Sequence, residues 1–380
     1  MEGSAIFEGS RALKVVLRRL YRRLSSKQFL ILGAVVVGLW AGLAAVILKL
    51  FVHYLQDKLV YLGQHYFWIY LAAPAIGILL TIVVVRLFLD GTLTKGTSHV
   101  LLAIARKSSM LEKKETYSHV ATSALTVGLG GSAGLESPIV QTGAAIGSVF
   151  ASLFPVGYRD RTLLLACGAA AGIATAFNAP IAGVLFALEV LLVDVNISAF
   201  IPLLMAGATG ALCSRIILNE EILLSFKSID TFNYHNVPFY ILLGGICGLV
   251  SVYYVKTTLA TERVFKRILK NTWTRLAAGG IVLGILILFF PALFGEGYTS
   301  IKELALSQPD RLFLGSPWYA WISSNGWMLA IAILVLSLIK VFAVTFTLGA
   351  GGNGGNFAPS LLVGAGLGFS VTYMANLGIS

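Results

Sequence analysis

The chain has 380 residues, 57% of them hydrophobic and only 12% charged, with a formal net charge of +11. Soluble globular chains carry about 25% charged and about 45–50% apolar residues, so a soluble enzyme, a nucleic-acid module and a disordered protein are excluded. Runs of about 17–25 apolar residues are long enough to cross a bilayer as helices, and such runs recur along the chain.

Residues 1–28 place Leu13, Val16, Leu17, Leu20 and Leu24 on one helical face and arginines opposite, which predicts an amphipathic helix on the inner membrane surface. The run Phe29 to Phe51 has no small-residue cleavage site and exceeds the about 7–15 residues of a signal-peptide core, so it is read as a span. It opens a first membrane repeat, 29–255, which includes the runs Trp68 to Leu89 and Phe239 to Val255. A basic linker, 256–275, follows. A second membrane repeat, 276–380, holds the runs Leu276 to Leu293, Trp327 to Leu348 and Pro359 to Met374. Residues 1–28, 106–114 and 256–275 contain 17 of the 28 Lys and Arg, and such clusters mark cytoplasmic segments. The acidic to neutral loop 218–236 is expected outside. The positive charge therefore reports topology, and no nucleic-acid partner is expected. The partner is membrane lipid, in a multi-pass protein of the cell membrane with a cytoplasmic N-terminus. Cys167, Cys213 and Cys247, odd in number and in apolar surroundings, give no disulfide framework.

An offset of 221 residues lays Gly128–Gly147 over Gly349–Gly368 with eight identities in twenty positions, seven of them Gly or Pro. Matched glycines and a matched proline (Pro138 and Pro359) mean that one backbone bend is built twice. Each copy reads as apolar helix, Gly-rich break, Pro, second apolar helix, and Pro favours the first turn of a helix. Each break thus delivers a helix N-terminus, with free N–H groups and partial positive charge, inside the membrane. Irregular backbone at that depth lines a cavity or is buried in protein. Paired interrupted helices point to a transporter's binding site, here one suited to small anions. Further helix starts are expected at Phe177-Asn178-Ala179-Pro180 and at Phe200-Ile201-Pro202. The expected fold is an all-α polytopic membrane protein with an inverted repeat and broken, re-entrant helices.

Glu136 is the only formal charge between Tyr117 and Tyr158. A carboxylate inside a membrane costs roughly 2.5–3.5 kcal/mol and is functional by default. Placed two residues before Pro138, it is a tethered anion at the helix end proposed to bind a free one. Protonation would remove that competition, so a gate responsive to pH follows. The plainer alternative is a capping carboxylate.

Gly134-Leu135-Glu136-Ser137-Pro138 resembles the GxEGP signature of the CLC family of chloride channels and proton-coupled chloride transporters. Gly354-Gly355-Asn356-Phe357-Ala358-Pro359 resembles its GxFxP signature, Cys167 to Glu189 the segment between them, and Gly295-Glu296-Gly297-Tyr298 its GxGY loop. The resemblance implies a CLC-like homodimer that conducts chloride, with no cofactor, metal or catalytic residue. It implies that Glu136 gates, and that Gly134, Ser137, Asn356, Phe357 and Ala358 surround the bound chloride. Gly96 stands nearest the family's anion-binding serine, with Thr97 or Ser98 as substitutes. Val190 stands where the family's exchangers carry an internal acid, which favours a channel over an antiporter. Glu189 is expected to make a buried hydrogen bond. In the first copy apolar sequence runs about eighty residues past Pro138, but 21 residues follow Pro359. The offset places the expected end about 58 residues beyond Ser380, so the chain reads as a fragment lacking the family's late tyrosine.

Other chemistries are weaker. Gly130-Gly131-Ser132-Ala133-Gly134 matches GxSxG, which needs a strand–turn–helix setting, whereas its flanks here read as membrane helices. His53, His65, His99, His119 and His235 show no metal spacing, and His99 reads as a surface histidine at a loop end. A sodium-coupled transporter with broken helices is the stronger competitor.

Overall fold

The computed structural model describes residues 23–63, 65–66, 68–192, 197–219 and 233–379. The amphipathic helix expected before residue 23 and most of the expected external loop lie outside the described residues. Fourteen α-helices are described. α1 is Ser26–Gly63, α2 Trp68–Phe88, α3 Thr97–Arg106, α4 Glu115–Gly128, α5 Glu136–Ser152, α6 Tyr158–Phe177 and α7 Pro180–Phe186. α8 is Ile197–Leu218, α9 Val237–Ile268, α10 Thr272–Phe289, α11 Tyr298–Ala305, α12 Tyr319–Ile322, α13 Gly326–Gly349 and α14 Phe357–Ile379. Eight are long and apolar enough to cross a membrane: α1, α2, α6, α8, α9, α10, α13 and α14.

Two of the eight were not among the apolar runs. α6 is the least apolar of them, rich in Ala and Gly, and every residue from Leu164 to Ala176 is buried. A helix wrapped in protein needs small side chains for close approach rather than bulky ones for lipid. α8 was expected to begin anew at Pro202, but it runs through that residue, so no break lies there. The start at Pro180 is present, with Asn178 in the left-handed region at φ 51°. The basic segment after Val255 is largely helical, because α9 continues to Ile268.

The chain divides into two units. One comprises Met1–Leu50, Leu93–Ala121 and Pro138–Leu223. Its centre is α6, packed against α7 and α8. Glycines let backbones touch there: a Cβ on Gly168 would lie 1.9 Å from the Gly143 carbonyl oxygen, and one on Gly147 would lie 2.1 Å from that of Leu164. Gly143 and Gly147 are four residues apart on α5, the small-xxx-small spacing of tightly packed membrane helices.

The other unit comprises Phe51–Thr92, Thr122–Ser137 and Leu224–Ser380. α2 packs on α10, and α13 lies against α9, α10 and α14. Its core includes Ile78, Leu283, Ile287, Leu293, Phe313, Ile333 and Leu336. Both Gly-rich breaks belong to this unit.

Candidate functional site

The two breaks match residue for residue. α4 ends at Gly128 and α13 at Gly349, and the next helices begin at Glu136 and Phe357, each pair separated by the repeat offset. Gly130 and Gly351 both take positive φ, 94° and 118°, which explains why both copies keep glycine there. The Gly131 N–H donates to the Thr126 carbonyl at 2.8 Å, and the equivalent Gly352 N–H to that of Thr347 at 3.0 Å.

The copies also hold each other. Gly134 N–H donates to Gly355 O at 2.8 Å and Gly355 N–H to Gly134 O at 2.7 Å, an antiparallel bridge between equivalent residues. Such a pair is what a local two-fold axis produces. The threonines obey the same axis: Ser132 N–H donates to Thr347 Oγ1 at 3.1 Å, and Asn353 N–H to Thr126 Oγ1 at 2.9 Å. These hydroxyls pair backbone amides that water cannot reach at this depth. Thr126 and Thr347 were missed as site residues although they obey the offset, lying two positions upstream of the aligned block.

Glu136 is the first residue of α5 and only 4% exposed. A Cβ on Gly134 would lie 2.2 Å from Glu136 Oε2, 3.1 Å from Ala358 Cβ and 3.2 Å from Ala358 N. A Cβ on Gly355 would lie 2.9 Å from Ser137 Cβ and 3.2 Å from its N. Gly134, Glu136, Ser137 and Ala358 are therefore brought together where the first turns of α5 and α14 meet. First-turn amides have no acceptor within their own helix and carry partial positive charge. The Gly134 N–H is committed to Gly355, so Gly134 contributes close approach rather than a donor in this conformation. Phe357 opens α14 and Asn356 precedes it; both are exposed, Phe357 at 48%, whereas Ala358 is buried.

The Tyr298 hydroxyl donates to Glu136 Oε1 at 2.5 Å, and Tyr298 is itself buried. No sequence spacing links residues 162 apart. Tyr298 starts α11 after Gly295 and Gly297, both at positive φ. The preceding turn is fastened by Lys340 of α13, fully buried, whose Nζ donates to the carbonyls of Leu293 at 3.3 Å and Gly295 at 3.1 Å. Glu296 lies close enough to act electrostatically on both Lys340 and Tyr298.

Gly96, Thr97 and Val190 belong to the unit centred on α6. Thr97 begins α3 and Gly96 caps it at φ 87°. α3 touches a π-helical turn, Ala187–Leu191, which carries Val190. Val190 is 36% exposed. Glu189, within that π turn, is exposed rather than buried. His99, expected at the surface, is partly buried and sits 3.3 Å from Glu115. Ser132 is fully buried between two helices, not on the strand–turn–helix of a nucleophile elbow.

Replacing Gly134 by Ala tests this geometry at small cost. The flexible end of Glu136 and two tight contacts with Ala358, at 3.1 and 3.2 Å, oppose the methyl. The variant is expected to fold, with thermal stability lowered by about 1–2 kcal/mol and the Glu136–Tyr298 bond broken in its structure. A structure retaining that bond would contradict the close approach.

The helical fold, the eight apolar spans and the paired breaks define a polytopic membrane transport protein built on an inverted repeat. Residues 77–379 match the family model described as voltage gated chloride channel, and the chain belongs to that family, the CLC family of chloride channels and antiporters. It is 30% identical over 305 residues to a ClcB-like chloride channel protein of Ralstonia nicotianae, covering 79% of this chain and 67% of that one. It is 31% identical over 259 residues to the voltage-gated ClC-type chloride channel ClcB of Escherichia coli, covering 68% of this chain and 56% of the other. The chain spans about half, 49%, of chloride channel protein CLC-e of Arabidopsis thaliana, at 27% identity and 91% of its own length. Among solved structures, it resembles a slow cyanobacterial Cl-/H+ antiporter with TM-score 0.77 and 21% identity, covering 93% of this chain and 81% of that one. A CLC-type fluoride/proton antiporter gives TM-score 0.72 and 24% identity, covering 91% and 82%. The family is one of membrane ion channels and transporters.

Proposed function

We propose that the protein conducts chloride passively through a pathway gated by Glu136. The observation that carries this reading is a buried carboxylate at the first position of α5, beside the first turn of α14. Ser137, Asn356, Phe357 and Ala358 supply the amide-rich surround of the anion. No lysine or arginine lies in either break, so the ion is held by partial charges, weakly enough to leave. The ionised Glu136 side chain competes for the same helix end; protonated, it yields. The protein needs no cofactor and acts as a homodimer with one pathway per subunit in the cell membrane, its basic segments and N-terminus in the cytoplasm.

Channel behaviour rests on Val190, which cannot carry a proton. Under crossed chloride and pH gradients, the reversal potential of the reconstituted protein is expected to follow chloride alone and to ignore sodium. A chloride gradient is expected to drive no uphill proton movement. A fixed, non-zero proton stoichiometry would replace this reading with proton-coupled antiport, the activity of the two structural neighbours named above. Dependence on sodium would replace both.

A further inference from the structure

We propose that Tyr298 is the latch of the Glu136 gate, and that Lys340 is the positioning residue that holds the latch in place. The proposal rests on the reading of Glu136 as a gate and adds the group that decides when it opens.

A phenol donating to an ionised carboxylate makes a charge-assisted O–H···O⁻ bond, roughly twice as strong as a neutral one. It favours the charged form of its partner. Tyr298 thereby keeps the carboxylate ionised and seated at the start of α5, the shut state of the gate. Both groups are buried, so water does not replace the bond when it is lost. The second copy of the break has no such pair, since Phe357 occupies the position equivalent to Glu136 and is half exposed. The latch is thus an addition to one copy and not part of the repeated backbone design.

The latch is only as firm as its loop. Residues 291–298 return the chain from α10 to α11 through two left-handed glycines. Lys340 reaches from the middle of α13 to two carbonyls of that loop. A buried ammonium is tolerated only when fully paired, and Glu296 supplies the opposite charge beside it. Among the described residues, Tyr298 and Glu296 from the loop and Lys340 from α13 are titratable groups about the gate. α14, packed against α11, brings no acidic, basic or histidine side chain.

The test measures the protonation of Glu136 directly and flux separately. Infrared difference spectra of the protein in liposomes, taken from pH 7.5 down to 4, will show a protonated-carboxyl band that is absent in Glu136→Gln. In Tyr298→Phe that band is expected to appear about one pH unit higher, one unit being a tenfold change in the protonation equilibrium. Chloride efflux at pH 7.5 is expected to rise about tenfold. Lys340→Met is expected to move the band the same way, and Lys340→Arg to restore it, which loss of fold alone would not do. On the Glu136→Gln background, Tyr298→Phe is expected to add nothing to flux. An unchanged midpoint in Tyr298→Phe overturns the latch, whatever the flux does. Wild-type flux in Glu136→Gln overturns the gate reading instead, and the spectral midpoint still decides the role of Tyr298 in holding the carboxylate.

Discussion

Chloride flux through the Glu136→Gln variant is expected to exceed the wild-type rate at neutral pH by about tenfold or more and to lose its acid dependence. The amide keeps the shape of the protonated acid and removes the charge. An ionised carboxylate at a helix N-terminus gains about 0.3–2 kcal/mol from the dipole, and a hydrogen bond to a charged group adds about 1.5–3 kcal/mol. Since about 1.4 kcal/mol corresponds to a factor of ten, removing the charge that strengthens both releases the helix end to the transported ion for most of the time. Efflux from chloride-loaded liposomes at pH 4.5 and 7.5 measures it. Wild-type flux with a wild-type pH response, in a variant that elutes as a folded protein, would sink the gate.

The largest effect on stability is expected at Gly168. Alanine favours a helix over glycine by about 0.8–1.0 kcal/mol, so propensity alone predicts a gain. Against it stands a Cβ placed 1.9 Å from the Gly143 carbonyl oxygen and 2.7 Å from its carbon. These are backbone atoms of a neighbouring helix and cannot step aside as a side chain would. α5 and α6 would have to separate, breaking the close packing along α6, and a cost above about 4 kcal/mol follows. Gly248→Ala on α9, where a Cβ meets nothing within 4 Å, is the control and is expected to be neutral or slightly stabilising. Thermal melts followed by size-exclusion chromatography compare the two. Equal melting temperatures for Gly168→Ala and wild type would show that the helices do not meet as described.

The sequence made the backbone of the site legible to a degree its side chains did not share. Glycine and proline carry conformational information locally, so two helix ends and two helix starts follow from the offset between Gly128–Gly147 and Gly349–Gly368. Glu136 was legible because a charge in an apolar stretch is costly wherever it points. Tyr298 and Lys340 were not, since each meets its partner across 45 or more residues and neither stands in a periodic pattern. Lys340 is the last charged residue of the chain, yet nothing in its apolar neighbourhood names the carbonyls it holds. α6 escaped the hydropathy reading for the opposite reason: its Ala and Gly residues serve packing against protein, which apolar run length does not measure. Glu189 lies in a π turn, a deviation that helical periodicity cannot foresee.

The bridge between Gly134 and Gly355 sets a timetable for the protein's birth. At about 5–20 residues per second, the ribosome delivers Gly355 about 10–45 s after Gly134, the two being 221 positions apart. Through that interval the first half-site has no symmetry mate, and its amides and its acid must be sheltered from lipid. Tyr298 emerges earlier, 162 residues after Glu136, so the acid's hydroxyl partner is made before the residue that closes its break. The order of synthesis thus makes the side-chain partner of the buried acid before the backbone partner of its break.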